Sequence, residues 1–67
     1  MQEAVATHAG FKAFVDETDD GIEVKYCDAE GREIDREVFA GVKDYRLKQE
    51  QIESQLKKLW EHRIDFK

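Results

Sequence analysis

The sequence predicts an α+β domain. A small antiparallel sheet of two or three strands, with its hairpin over residues 22–38, packs on one long C-terminal helix over about 42–64. Three observations carry this prediction. Asp28-Ala29-Glu30-Gly31 is a turn sequence set between two alternating runs. Tyr45, Ile52, Leu56, Leu59 and Trp60 recur at helical spacing in the last third of the chain. Phe11-Lys12-Ala13-Phe14-Val15 has the β-branched and aromatic character of a further strand.

The hairpin register follows from its turn. Asp28 suits the start of a type I turn because its carboxylate can accept from the backbone just ahead, and Gly31 suits the left-handed position that follows. Tyr26 then faces Ile34, Val24 faces Arg36 and Ile22 faces Val38, while Cys27 meets Glu33, Lys25 meets Asp35 and Glu23 meets Glu37. One face reads Ile22, Val24, Tyr26, Ile34, Val38 and the other is mostly charged, the pattern of a half-buried antiparallel sheet. A rival reading ends the second strand at Ile34 and uses Asp35 as a helix N-cap.

A two-stranded hairpin alone is barely stable in water, and the Phe11–Val15 run could supply a third strand. A helix from about Glu3 to Val15 competes with it because alanine is abundant there, and Gly10 weakens that helix. Both readings stay open. Residues 1–10 carry no firm element and form a candidate disordered segment.

From Val42 to about Ile64 nothing breaks a helix. Its apolar stripe covers one sheet face, with Val42 and Phe66 near the ends and Gln49 and Arg63 as interruptions. Glu53 precedes Lys57, and Asp44 precedes Lys48, by the four residues that favour ion pairs on the far side. Leu47 lies well round from the stripe, and Trp60 with Ile64 widens it. That surplus predicts a second contact, with another copy of the chain as the first candidate.

Composition narrows the classes of function. A chain of 67 residues forms one small domain, and at this size only about 60% of the unfolded surface is buried on folding. Cys27 is the only cysteine, so no internal disulfide forms, and this usage fits a reducing, cytoplasmic setting. The N-terminal MQEAVATHAGF lacks the basic start and apolar run of a signal peptide, and no apolar stretch reaches the ~20 residues of a membrane helix. The net charge is −5, divided as −7 over residues 1–35 and +2 over residues 36–67. Such a chain is repelled by phosphate backbones, so no direct nucleic-acid binding and no membrane are expected, while a basic protein surface would be attracted.

The most acidic stretch is Asp16, Glu17, Asp19, Asp20 and Glu23, with no base among them. Asp16 to Gly21 resembles the start of a calcium-binding loop, but the eighth place is Glu23 where an apolar residue belongs, and the twelfth is Cys27 where a bidentate glutamate belongs. Together with Asp28, Glu30 and Glu33, these acids can imitate the spaced charges of a nucleic-acid backbone and so block a protein that grips one. A solvated, solubilising turn is the plainer reading.

No catalytic set emerges. Cys27 has acids for neighbours and no base to activate it. His8 and His62 cannot form a metal site alone, Ser54 falls in mid-helix, and no glycine-rich phosphate loop exists. Glu23 opposite Glu37 is the only carboxylate pair the register offers, and it lies on an open face. Lys43, Arg46, Lys48, Lys57 and Lys58 alternate with acids, unlike a nucleic-acid stripe. Trp60 serves either the core or a contact.

The expectation is therefore a non-enzymatic, small acidic cytosolic protein-binding or regulatory module with no cofactor and no metal. It self-associates, as a dimer, through Leu47, Leu56, Trp60 and Ile64 of the helix. The alternative is an acidic inhibitor acting through Asp16, Glu17, Asp19, Asp20 and Glu23 on a nucleic-acid-binding protein. A structural subunit of a viral or other assembly is a third class. Small hairpin-plus-helix proteins of tailed-phage head completion share this outline, though no motif carries the analogy.

Overall fold

The computed structural model describes residues 3–63. Four strands run in sequence order as an antiparallel meander: β1 (Ala6–His8), β2 (Phe11–Thr18), β3 (Gly21–Cys27) and β4 (Glu33–Ala40). A short 3-10 helix (Tyr45–Lys48) leads into α1 (Gln49–Glu61). The architecture is α+β, with four strands where the sequence argues for two or three. The extra strand is β1, drawn from within the first ten residues, and Phe11–Thr18 is a strand and no part of a helix.

The β1–β2 link is a two-residue turn in which Ala9 (φ 51°) and Gly10 (φ 91°) both take positive φ, the geometry that matches the twist of a tight hairpin. At the β3–β4 link the Asp28 turn forms as its residues demand. Gly31 N–H donates to Asp28 O at 3.0 Å, Gly31 has φ 87°, and Asp28 Oδ1 accepts from the N–H groups of Glu30 and Arg32, each at 2.9 Å.

Past this turn the register departs from the expected one. Cys27 pairs with Glu33 as expected, but Tyr26 pairs with Asp35, leaving Ile34 as an extra residue in a β-bulge. Every pair further on is displaced by one: Lys25 opposes Arg36, Val24 opposes Glu37, Glu23 opposes Val38 and Ile22 opposes Phe39. A one-residue slip turns a strand over. Val38 therefore stands on the open face, 59% exposed, and Phe39 takes its place against the core. The exchange buries the larger ring, and it brings the Glu37 carboxylate to the Tyr26 hydroxyl. Ile34 still packs on the margin of the core from its bulge.

The core lies between the sheet and α1. Phe11, Ala13, Ile22, Val24 and Tyr26 from the sheet meet Ile52 and Leu56, all buried. Tyr45, Leu59 and Trp60 of the expected stripe close its margin. Helical structure begins at Tyr45, because the Asp44 side chain accepts from Arg46 N–H and caps there, and not at Val42. Ile64 and Phe66 lie outside the described residues. The expected partners of Asp44 and Glu53 also differ: Asp44 pairs with Arg46 at 2.8 Å, and Glu53 accepts from Gln49 at 2.7 Å.

Candidate functional site

The acidic stretch is divided between two places by the β2–β3 hairpin. Asp16 and Glu23 stand opposite each other on the open sheet face, a like-charge pair. Cations from the neighbouring row relieve it. Lys25 Nζ lies 3.4 Å from Asp16, and Arg36 lies 3.7 Å from Glu23 and 2.9 Å from Glu33. Arg36 reaches these acids only because the bulge turns it to the open face. The carboxylates around it hold its guanidinium firmly charged, the Glu33 hydrogen bond being the main cause. The expected Glu23–Glu37 pair does not form, since Glu37 stands on the helix side opposite Val24.

Glu17, Asp19 and Asp20 are exposed around the β2–β3 turn. Their backbone ties that tip to the start of the helical segment. Asp20 O accepts from Gly41 N–H at 2.6 Å and Asp19 O accepts from Lys43 Nζ at 3.3 Å. The segment from Asp16 to Cys27 is thus a strand, a tight turn and a second strand, with the Thr18 hydroxyl donating to Gly21 O at 3.1 Å. Among the described residues, no group of three or more His, Cys, Asp or Glu side chains is arranged to hold a metal ion.

Cys27 is half-buried at the hairpin end. Burial first, then the Glu33 and Asp28 carboxylates, push its thiol above its ordinary pKa, so the nucleophilic thiolate is disfavoured.

The residues expected to form a helix contact surface separate. Leu56 is fully buried within the chain's own core. Trp60 is half-buried, with the His8 ring edge-on at 4.9 Å and the Arg63 guanidinium over its face at 4.5 Å. Leu47 remains, 76% exposed on the 3-10 turn, and Ile64 lies outside the described residues.

The sheet edges are unlike each other. β1 has three residues, α1 packs along it, and Gln49 Nε2 donates to Val5 O at 2.9 Å. β4 has eight residues and, among the described residues, pairs with β3 on one side only. Every second residue along such an edge directs its N–H and C=O outward. Beyond β4 lies an open groove of about 400 Å³ lined by Glu37, Glu50, Gln51, Ser54, Gln55 and Lys58. Gln55 Nε2 spans from α1 to Asp35 at 3.1 Å. Sequence reasoning missed this edge, because the Phe11–Val15 run could add to either strand of the hairpin and only its pairing with β3 leaves β4 at the end.

No helix among the described residues is long and apolar enough to cross a membrane. Compared with known protein families, with curated proteins and with solved structures, the chain matches none of them.

Proposed function

We propose that this chain is a non-enzymatic protein-binding module of the cytosol. The observation that carries the reading is β4, an eight-residue strand with one edge open, on a sheet whose other edge is short and packed by the helix. Strand addition to an exposed edge is a recurrent mode of peptide recognition, and past the bulge at Ile34 the β4 edge runs without a further break from residue 35 to residue 40.

Self-association through α1 has less support than the sequence suggests, because Leu56 is spent on the core and Leu47 stands as one exposed apolar side chain. A single leucine falls far short of the roughly 800 Å² per partner of a stable interface. Imitation of a nucleic acid is also less supported. Lys25 and Arg36 offset Asp16 and Glu23, which leaves Glu17, Asp19 and Asp20 as a small acidic tip.

The test is affinity capture from source-cell extract with immobilised full chain, at low and at high salt, followed by reconstitution with the purified candidate. A specific, saturable protein complex is the expected result. Recovery of nothing but further copies of the chain would replace this reading with self-association.

A further inference from the structure

The geometry points to β4 as the docking strand for an extended basic segment of another protein, added to the sheet as a fifth strand. This inference rests on the reading of the chain as a protein-binding module and names the chemistry of its partner.

Charge decides what the edge accepts. On the helix side of β4 stand Asp35 and Glu37, with Glu50 beyond them across the groove and Lys58 as the one cation lining it. On the open side Arg36 is engaged by Glu23 and Glu33, and the next residue on that face is the exposed Val38. A strand laid along β4 therefore meets Asp35 and Glu37 with one set of alternate side chains, and Val38 beside the acid-engaged Arg36 with the other. Lysine or arginine alternating with an aliphatic residue fits both.

A second copy of β4 fits less well. In a symmetric antiparallel pair, facing residues share a sheet face, so the two-fold axis passes beside a residue set against its own copy. Centred on Asp35, Arg36 or Glu37, that arrangement opposes like charges directly, which is destabilising. Centred on Val38, it shortens the overlap to residues 36–40. Nearer Glu33 it meets the bulge at Ile34. A second copy is thus confined to residues 36–40, whereas a strand of opposite charge can also cover Asp35.

The experiment is an NMR titration of the labelled full chain with an acetylated (Lys-Val)4 peptide and, separately, with (Glu-Val)4. The expected result is saturable amide shifts confined to β4 and the groove-lining residues of α1, slowed hydrogen exchange along β4, and binding at least about ten-fold weaker for (Glu-Val)4. Val38→Lys, at an exposed position that leaves the core intact, should weaken (Lys-Val)4 binding about two- to five-fold, because a charge replaces the apolar side chain that the peptide valines face. No binding of (Lys-Val)4, equal binding of both peptides, shifts centred on β1 or Leu47, or indifference to Val38→Lys would each overturn the inference. A cellular partner captured equally by the wild type and Val38→Lys would remove the β4 edge and leave the binding-module reading standing.

Discussion

The Tyr26 hydroxyl donates to Glu37 Oε1 at 2.9 Å, joining a fully buried ring on β3 to a carboxylate on β4. This bond exists only in the register created by the bulge at Ile34. In the unshifted register Glu37 would point to the open face, and the phenol would lie buried with no such acceptor.

Burial first, and then the Glu37 carboxylate, hold the Tyr26 hydroxyl protonated far above the ordinary tyrosine range. A proton retained by the folded state and lost by the unfolded one ties stability to pH. This contribution is complete below about pH 10, where both states are protonated, and falls as pH rises above it, by about 1.4 kcal/mol per unit. The stability measured by urea denaturation at a series of pH values should therefore begin to decline near pH 10. Tyr26→Phe should lose about 1 kcal/mol at neutral pH, from the missing bond and the stranded carboxylate, and should flatten the alkaline decline. An unaltered decline in that variant would show that Tyr26 does not govern it.

The register is open to direct measurement by a pair of substitutions. Phe39→Ala should cost about 2 kcal/mol, below the full value of a completely buried phenylalanine because this ring is half-buried. Val38→Thr should change stability by less than about 0.5 kcal/mol, since its side chain faces solvent. Urea denaturation of the two variants compares them, and the reverse ranking would restore the unshifted register.

Gly21 occupies a place that no other residue fits. Its φ is 152°, and a Cβ there would overlap Phe39 O while lying 2.9 Å from Gly41 N and 3.1 Å from the Ala40 Cα. All three are backbone atoms of the β4 end, so relief requires parting β3 from β4. Gly21→Ala should cost about 3 kcal/mol or more, a large share of the roughly 5 kcal/mol at the low end for small domains. The check is a thermal melt, and a variant that melts with the wild type would refute the close approach.

Ala9 offers the opposite change. It is the only non-glycine among the described residues with positive φ, at 51°, in the first place of a two-residue turn that favours asparagine. Ala9→Asn should stabilise the protein by about 0.5–1 kcal/mol, read as a higher urea midpoint at unchanged slope.

How much of this was legible in the sequence depends on where the determining signal lies. The Asp28-Ala29-Glu30-Gly31 turn was legible because its conformation is demanded by the residues that form it. The helix stripe was legible because Ile52 and Leu56 repeat at the period of the element that buries them. The bulge was not, because Ile34 has no residue-level mark of an extra position, and the apolar alternation of Ile34 and Val38 argues for an unbroken ladder. What decides it is the combined gain of burying Phe39, pairing Tyr26 with Glu37 and releasing Arg36 toward Glu23. β1 was hidden for another reason: Ala6-Thr7-His8 has little strand character of its own, and its place is fixed by α1 and by the turn at Ala9 and Gly10. The acids were visible as a cluster, but their cations were not, since Lys25 and Arg36 reach them across strands in the displaced register.

Gln49 reaches back 44 positions to Val5, and α1, the last element among the described residues, lies along β1, the first of them. During synthesis the meander is complete before its lid leaves the ribosome. For that interval Ile22, Val24 and Tyr26 have nothing over them, and the nascent sheet is a sticky surface in need of shelter. The domain closes only when α1 packs, so its completion waits on a contact that spans nearly the whole of it even though every hairpin in it is local.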